Sequence, residues 1–181
     1  MATTRRTRTI AVPIDRLWDT LADPHHLPRW WPRVERVEDV TDDAFTEVLR
    51  AASGRSVRAD FQLVEVDPHS RHVRWAQQLQ GTPFARVLRS SEVEIQLTPA
   101  VPATANTSAL SRVPNAPPAS PTPNTTDAPH DGPNVQDTTE VTLELHQTLA
   151  GFLPRLGSFL ARRAAGRTLE EALEDLERIG G

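Results

Sequence analysis

The stretch Ile10-Ala-Val-Pro-Ile-Asp-Arg-Leu-Trp-Asp-Thr-Leu-Ala-Asp-Pro-His-His-Leu-Pro-Arg-Trp-Trp-Pro32 decides the fold of this chain. Ile14, Leu17, Trp18 and Leu21 recur at spacings of three and four, which lines them up as one apolar stripe of a helix. Pro13 suits the start of that helix, where its missing N–H costs nothing. Asp23-Pro24 ends it, and Pro24 opens a second short helix that closes at Pro32. The residues just before alternate, so Thr4 to Val12 reads as a strand. Trp18, Trp30 and Trp31 are three of the chain's four tryptophans. Side chains this large are costly to expose, so they anchor a core or line an apolar cavity.

Downstream, the period changes from helical to alternating. Val34 to Val40 and Phe45 to Ala51 are predicted strands, with Asp42-Asp43 turning between them. Val57, Ala59, Phe61 and Leu63 alternate as a half-buried antiparallel strand does. Val64 and Val66 fall on the other parity, which predicts a bulge near Leu63. Asp67 to Ser70 is a turn, and Val73, Trp75 and Leu79 continue the inward face. Val87, Val93, Ile95 and Leu97 share one parity, as do Val141, Leu143 and Leu145.

Between these last two strands, residues 99–137 hold nine of the chain's sixteen prolines and no aromatic residue. Such a composition buries too little apolar surface to offset its ordering entropy, so it reads as a disordered insertion at a hairpin tip. Asn-x-Ser/Thr sequons at Asn106 and Asn124 have no use in a cytoplasmic chain. Apart from this insertion, residues 1–181 read as a single domain.

The chain ends in a helical segment from Phe152 to about Ile179. Leu153, Leu156, Phe159 and Leu160 form one stripe; Leu169, Ala172, Leu173 and Leu176 form a second on nearly the opposite side. Gly166 separates them, and Thr168-Leu-Glu-Glu171 resembles a capping box. A kink at Gly166 would turn both stripes onto one sheet. The alternative is that the second stripe packs on another subunit and makes an oligomer.

Ala11-x-Pro13, Trp18, Leu21, Asp23-Pro24, Leu27-Pro28, Trp30 and Pro32 together resemble the opening of the START-like (SRPBCC) superfamily, which includes polyketide cyclases/dehydrases and lipid-transfer-like proteins. The resemblance implies an α+β helix-grip fold. In that fold a curved antiparallel sheet, two short N-terminal helices and a long C-terminal helix enclose an apolar cavity. It further implies that Trp30, Phe61, Trp75, Val87, Leu153, Leu156 and Leu160 wall that cavity.

Strand parity adds polar candidates. Arg89 and Ser91 share the parity of Val87 and Val93, and Gln77 lies between Trp75 and Leu79. Glu47 shares the parity of Phe45 and Leu49. A buried arginine needs an acid or a ligand oxygen, so Arg89 would meet Glu47 or orient a ligand's polar group with Ser91 and Gln77. A bulge at Ser90-Ser91 would instead send Arg89 to solvent. His25 and His26, near the expected mouth, are acid–base candidates. His69 lies in a turn, His72 and His146 face outward, and His130 falls in the insertion.

Composition narrows the chemistry. The net charge of −4 argues against nucleic-acid binding. All twenty basic residues are arginine, a mark of GC-rich codon usage, and there is no cysteine or tyrosine. Disulfides, thiol nucleophiles and cysteine metal sites are therefore excluded. No His-x-x-x-His spacing, phosphate loop, Gly-x-Ser-x-Gly or Gly-x-Gly-x-x-Gly occurs, so neither a metal nor another cofactor is expected. No apolar run is long enough to span a bilayer, and no apolar block follows Arg5, Arg6 and Arg8, so the expected location is cytoplasmic. The expected role is binding of a small hydrophobic ligand: a lipid, polyketide or isoprenoid-like molecule. The alternatives are a polyketide cyclase/dehydrase-type enzyme using the same cavity, and a protein-interaction module built on the insertion and the acidic run Glu170 to Glu177.

Overall fold

The computed structural model describes residues 2–51, 53–100, 138–151 and 155–180. Among these residues seven strands form one antiparallel sheet: β1 (Ala2–Ile10), β2 (Val34–Glu38), β3 (Ala44–Arg50), β4 (Ser56–Asp67), β5 (His72–Gln78), β6 (Leu88–Pro99) and β7 (Thr139–Leu149). Their spatial order is β1-β7-β6-β5-β4-β3-β2. The chain thus meanders from β2 to β7, and β1 completes the sheet by pairing with β7. Three helices accompany it: α1 (Ile14–Ala22), α2 (Leu27–Trp30) and the long α3 (Arg155–Gly180). This is the helix-grip arrangement expected from the N-terminal stretch.

That stretch folds as its residues dictate. Leu17, Trp18 and Leu21 are the buried residues of α1, each contributing about 1.5–3 kcal/mol on burial. Asp23 stops the helix in extended conformation and its carboxylate accepts from the His25 N–H at 2.9 Å, starting a 3-10 turn over Pro24–His26 that runs into α2. The second predicted helix is therefore a 3-10 turn followed by a single α turn. The Arg71 guanidinium lies 5.7 Å from the Trp18 ring centroid and pairs with Asp15, fastening α1 to the β4–β5 turn.

The predicted bulge in β4 lies between Leu63 and Glu65, where the pairing with β5 shifts register. A second bulge interrupts β6 between Leu88 and Ser90, leaving Arg89 as the extra residue opposite β7. The first strand begins and ends two residues earlier than its alternation suggested. Most of the predicted insertion lies outside the described residues. Its ends are joined, with Pro99 opposite Thr139 and the Ala100 N–H donating to the Thr138 carbonyl at 3.1 Å.

The C-terminal helix departs from expectation. It runs without a break from Arg155 to Gly180, so Thr168 lies in its interior and does not cap a new start. Gly166 marks a close pass over β1: a Cβ there would stand 2.7 Å from the Arg6 guanidinium and 3.8 Å from Thr4 Cγ2. Among the described residues of α3, the second stripe is the one that faces the sheet. Leu169, Ala172, Leu173 and Leu176 are fully buried within the chain, which removes them as an oligomer surface. Phe159 and Leu160 are exposed. The acidic run is also engaged internally: Arg8 reaches Glu170 at 2.5 Å and Glu177 at 3.2 Å, and Arg6 lies 3.5 Å from Glu170. Among the described residues no helix is long and apolar enough to cross a membrane.

Candidate functional site

The concave face of the sheet is not filled evenly. Between the residues that follow α2, strands β3 to β7 and one turn of α3 lies a cavity of about 500 Å³. Its apolar wall comes from Trp31 and Pro32 after α2, Leu49 on β3, Val57 and Phe61 on β4, Phe84 in the β5–β6 connection, Leu88 and Val93 on β6, and Leu145 on β7. Glu47, Gln77, Ser91, Gln147 and Thr168 are its uncharged or buried polar contributors, while Arg33 and Arg50 are solvent-exposed and so mark its open side. Arg50 is held by Glu35, with Nε to Oε1 at 2.5 Å.

An aromatic layer backs the apolar wall. The Trp31 ring stands edge-on to Trp30 and Trp75, with centroids 5.3 and 6.5 Å away. Phe45 stands edge-on to Trp75 at 5.9 Å and stacks on Phe61 at 5.3 Å. Such edge and offset contacts fix ring orientations beyond what area burial supplies. Trp31 and Phe61 face the cavity; Trp30, Trp75 and Phe45 support them from the core.

Glu47 sets the electrostatics. It sits on β3 directly across from Val37 on β2 and Ala59 on β4, and it is 1% exposed. Its Oε1 has no hydrogen-bond partner among the described residues. Burial pushes its carboxyl up to about 8 from an ordinary 4.5, because no nearby cation offsets the cost of desolvating the anion. Near neutral pH the group is a carboxylic acid, able to donate as well as accept.

The sequence-based candidates divide accordingly. Phe61, Gln77 and Ser91 come together on the cavity wall. Trp30 and Trp75 lie behind it in the core. Val87 ends the 3-10 turn Pro83–Arg86 and is 52% exposed, because β6 begins only at Leu88. Arg89 is the bulged residue and is exposed, bordering a different depression with Gln78, Gln80 and Glu92. It does not meet Glu47. The bulge, one residue before the anticipated position, inverts its parity. Leu160 points to solvent on the outward stripe of α3. Leu153 and the Leu156 side chain lie outside the described residues. His25 is exposed and bonds Asp23 at 2.9 Å; neither it nor His26 lines the cavity. His72 and His146 share Glu94 on the outer face, at 3.0 and 3.3 Å. Among the described residues no cluster of side chains fit to hold a metal occurs.

Sequence reasoning passed over Gln147 and Thr168, and it put Trp30 on the cavity wall where Trp31 stands. The signal for Trp31 is its place one residue past the end of α2, where the chain turns extended. For Gln147 it is the shared parity with Leu145. Thr168 becomes visible only once α3 is known to be unbroken.

The family model for polyketide cyclase / dehydrase and lipid transport proteins matches residues 1–179. The chain belongs to this family. Among curated proteins, none matches its sequence. Solved structures share the fold at low identity. A START superfamily protein from Mycobacterium smegmatis is 14% identical with a TM-score of 0.63, over 98% of this chain and 96% of that one. The ZhuI aromatase/cyclase from Streptomyces sp. R1128 is 15% identical with a TM-score of 0.65, over 99% of this chain and 93% of its own. The di-domain ARO/CYC protein BexL from the BE-7585A biosynthetic pathway is 17% identical with a TM-score of 0.67, over 98% of this chain and 46% of its length.

Proposed function

We propose that this protein binds a small hydrophobic molecule of the lipid, polyketide or isoprenoid class in the cavity beneath α2 and α3. The observation that carries this reading is the cavity of about 500 Å³ with an aromatic and aliphatic wall, inside the usual range of about 300–1,000 Å³ for small-molecule sites. Trp31, Phe61, Leu49, Val93 and Leu145 enclose the ligand; Glu47, Gln77 and Ser91 contact its polar atoms. The chain acts as one domain, in the cytoplasm. The test is native mass spectrometry of the purified protein with organic extraction. A co-purifying apolar molecule at one per chain supports the reading. An empty protein that also rejects fatty-acyl and polyketide-like probes sinks it.

A second reading, a cyclase/dehydrase acting on a ligand held in the same place, draws on Glu47. A carboxyl that gains and loses its proton near neutrality suits general acid–base work on a poly-β-keto chain, and enclosure would hold the reacting carbons close. Incubation with a short poly-β-keto thioester mimic tests it: a cyclised product made by wild type and not by Glu47→Leu is the supporting result.

A further inference from the structure

Glu47 is a buried carboxyl with no internal explanation. An ionisable group held for stability comes with a partner, since a polar group buried without one costs free energy. Here the flanking cross-strand residues are Val37 and Ala59, and Oε1 meets no donor or acceptor among the described residues. Glu47 itself lines the cavity, so the carboxyl borders open volume. The remaining polar groups on the cavity wall are Gln77 on β5, Ser91 on β6, Gln147 on β7 and Thr168 on α3. None of these titrates near neutrality. The charged groups, Arg33 after α2 and Arg50 at the end of β3, are solvent-exposed at the mouth, and Arg50 is already held by Glu35.

Resting on the binding reading above, we propose that Glu47 is the recognition group of this cavity, donating a hydrogen bond to an uncharged oxygen acceptor of the ligand. The preferred ligand is then an apolar molecule bearing a carbonyl, chosen over the matching hydrocarbon and over the matching amine. A carboxylic acid offers a carbonyl oxygen a donor. The carboxylate form withdraws that donor and favours a cation instead. Recognition of a carbonyl ligand therefore weakens as pH rises through about 8, where burial places the Glu47 proton.

Three probes of nearly equal size separate these cases: 2-acetylnaphthalene, 2-ethylnaphthalene and 1-(2-naphthyl)ethylamine. Binding of each to the full chain is measured by titration calorimetry near pH 6.5, with Glu47→Gln and Glu47→Leu alongside and folding checked by circular dichroism. Wild type should bind the ketone about three- to tenfold more tightly than the hydrocarbon, the usual worth of one hydrogen bond. Glu47→Gln, which keeps an N–H donor, should retain the preference and lose its pH dependence. Glu47→Leu should bind both probes equally. Equal binding of ketone and hydrocarbon by wild type overturns the inference while leaving the cavity reading intact. So does a preference that survives in Glu47→Leu, or tightest binding of the amine. If no probe binds wild type or either variant, the cavity reading falls and this inference falls with it.

Discussion

The two halves of the concave face are built to opposite ends. At the β1–β7 side, α3 lays Leu169, Ala172, Leu173 and Leu176 onto the sheet with almost no residual exposure. The buried hydroxyl there is paired: Thr139 Oγ1 donates to the Val12 carbonyl at 2.7 Å. At the β3–β5 side the same sheet faces a cavity, and its one fully buried charged-type side chain, Glu47, has no partner among the described residues. One half is packed and its hydrogen bonds are closed. The other keeps volume and an open hydrogen-bonding group. Stability is concentrated in the first and capacity for a ligand in the second.

Truncating a side chain in each half should break this contrast most visibly. Leu173→Ala removes a fully buried side chain from the packed half and should cost about 2–5 kcal/mol. Leu49→Ala, half-buried at the cavity wall, should cost about 1 kcal/mol while changing ligand affinity. Urea denaturation of both variants measures the difference. Equal losses would mean the cavity wall is packed as tightly as the α3 interface.

A pH series sharpens the same comparison through Glu47. The folded chain holds this proton more tightly than the unfolded chain, whose carboxyl sits near 4.5. The associated stability is fully present below about 4.5, declines as pH rises, and is gone above about 8. The slope in that window is about 1.4 kcal/mol per pH unit, amounting to a few kcal/mol in all. Glu47→Gln should lack the decline, so subtracting its pH profile from the wild-type profile isolates this one group. Parallel profiles would show that the carboxyl titrates normally in the folded chain.

Smaller in effect is a pair of hydroxyl deletions. Thr139→Val leaves the Val12 carbonyl unpaired and should cost about 1–3 kcal/mol. Ser91→Ala, whose hydroxyl faces the cavity, should stay within about 0.5 kcal/mol yet alter which polar ligands bind. Thermal melts and probe titrations together separate the two; a comparable stability loss from both would place Ser91 in the packed half.

Much of this architecture was readable from residue periodicity, and the failures have identifiable causes. The stripe Ile14, Leu17, Trp18, Leu21 and the strand parities locate elements because period follows directly from backbone geometry. The parity change after Leu63 marked a bulge for the same reason. Arg89 could not be assigned, because one extra residue inverts every side chain before it and no local sequence signal fixes where the bulge falls. Trp30 and Trp31 differ by a single step at a helix end, where the chain turns from helical to extended. Glu47 was legible as inward-facing, but its lack of a partner is a fact of tertiary packing. Gly166 was misread for a related cause: a glycine within a helix signals either a break or a close approach, and only the neighbour decides.

That neighbour makes Gly166→Ala the finest test of the packed half. Alanine favours the helix over glycine by about 1 kcal/mol. Its Cβ would meet the Arg6 guanidinium at 2.7 Å, the end of a flexible side chain, with Thr4 Cγ2 at an ordinary 3.8 Å. Arg6 can therefore swing aside. What it gives up is an ion pair to Glu170 at 3.5 Å, with both side chains nearly half exposed, worth about 0–1 kcal/mol after screening. Arg8 keeps its own contact with Glu170 at 2.5 Å, so the tie between β1 and α3 survives. The two effects nearly cancel, and the melting temperature should move by no more than a few degrees, about the shift that 1 kcal/mol produces in a domain of this size. Adding Arg6→Ala should then reveal the helix gain alone, and Gly166→Ala in that background should stabilise. If Gly166→Ala destabilises even without the Arg6 side chain, the contact that excludes a methyl group is the backbone of β1, and α3 lies closer to the sheet than Thr4 and Arg6 indicate.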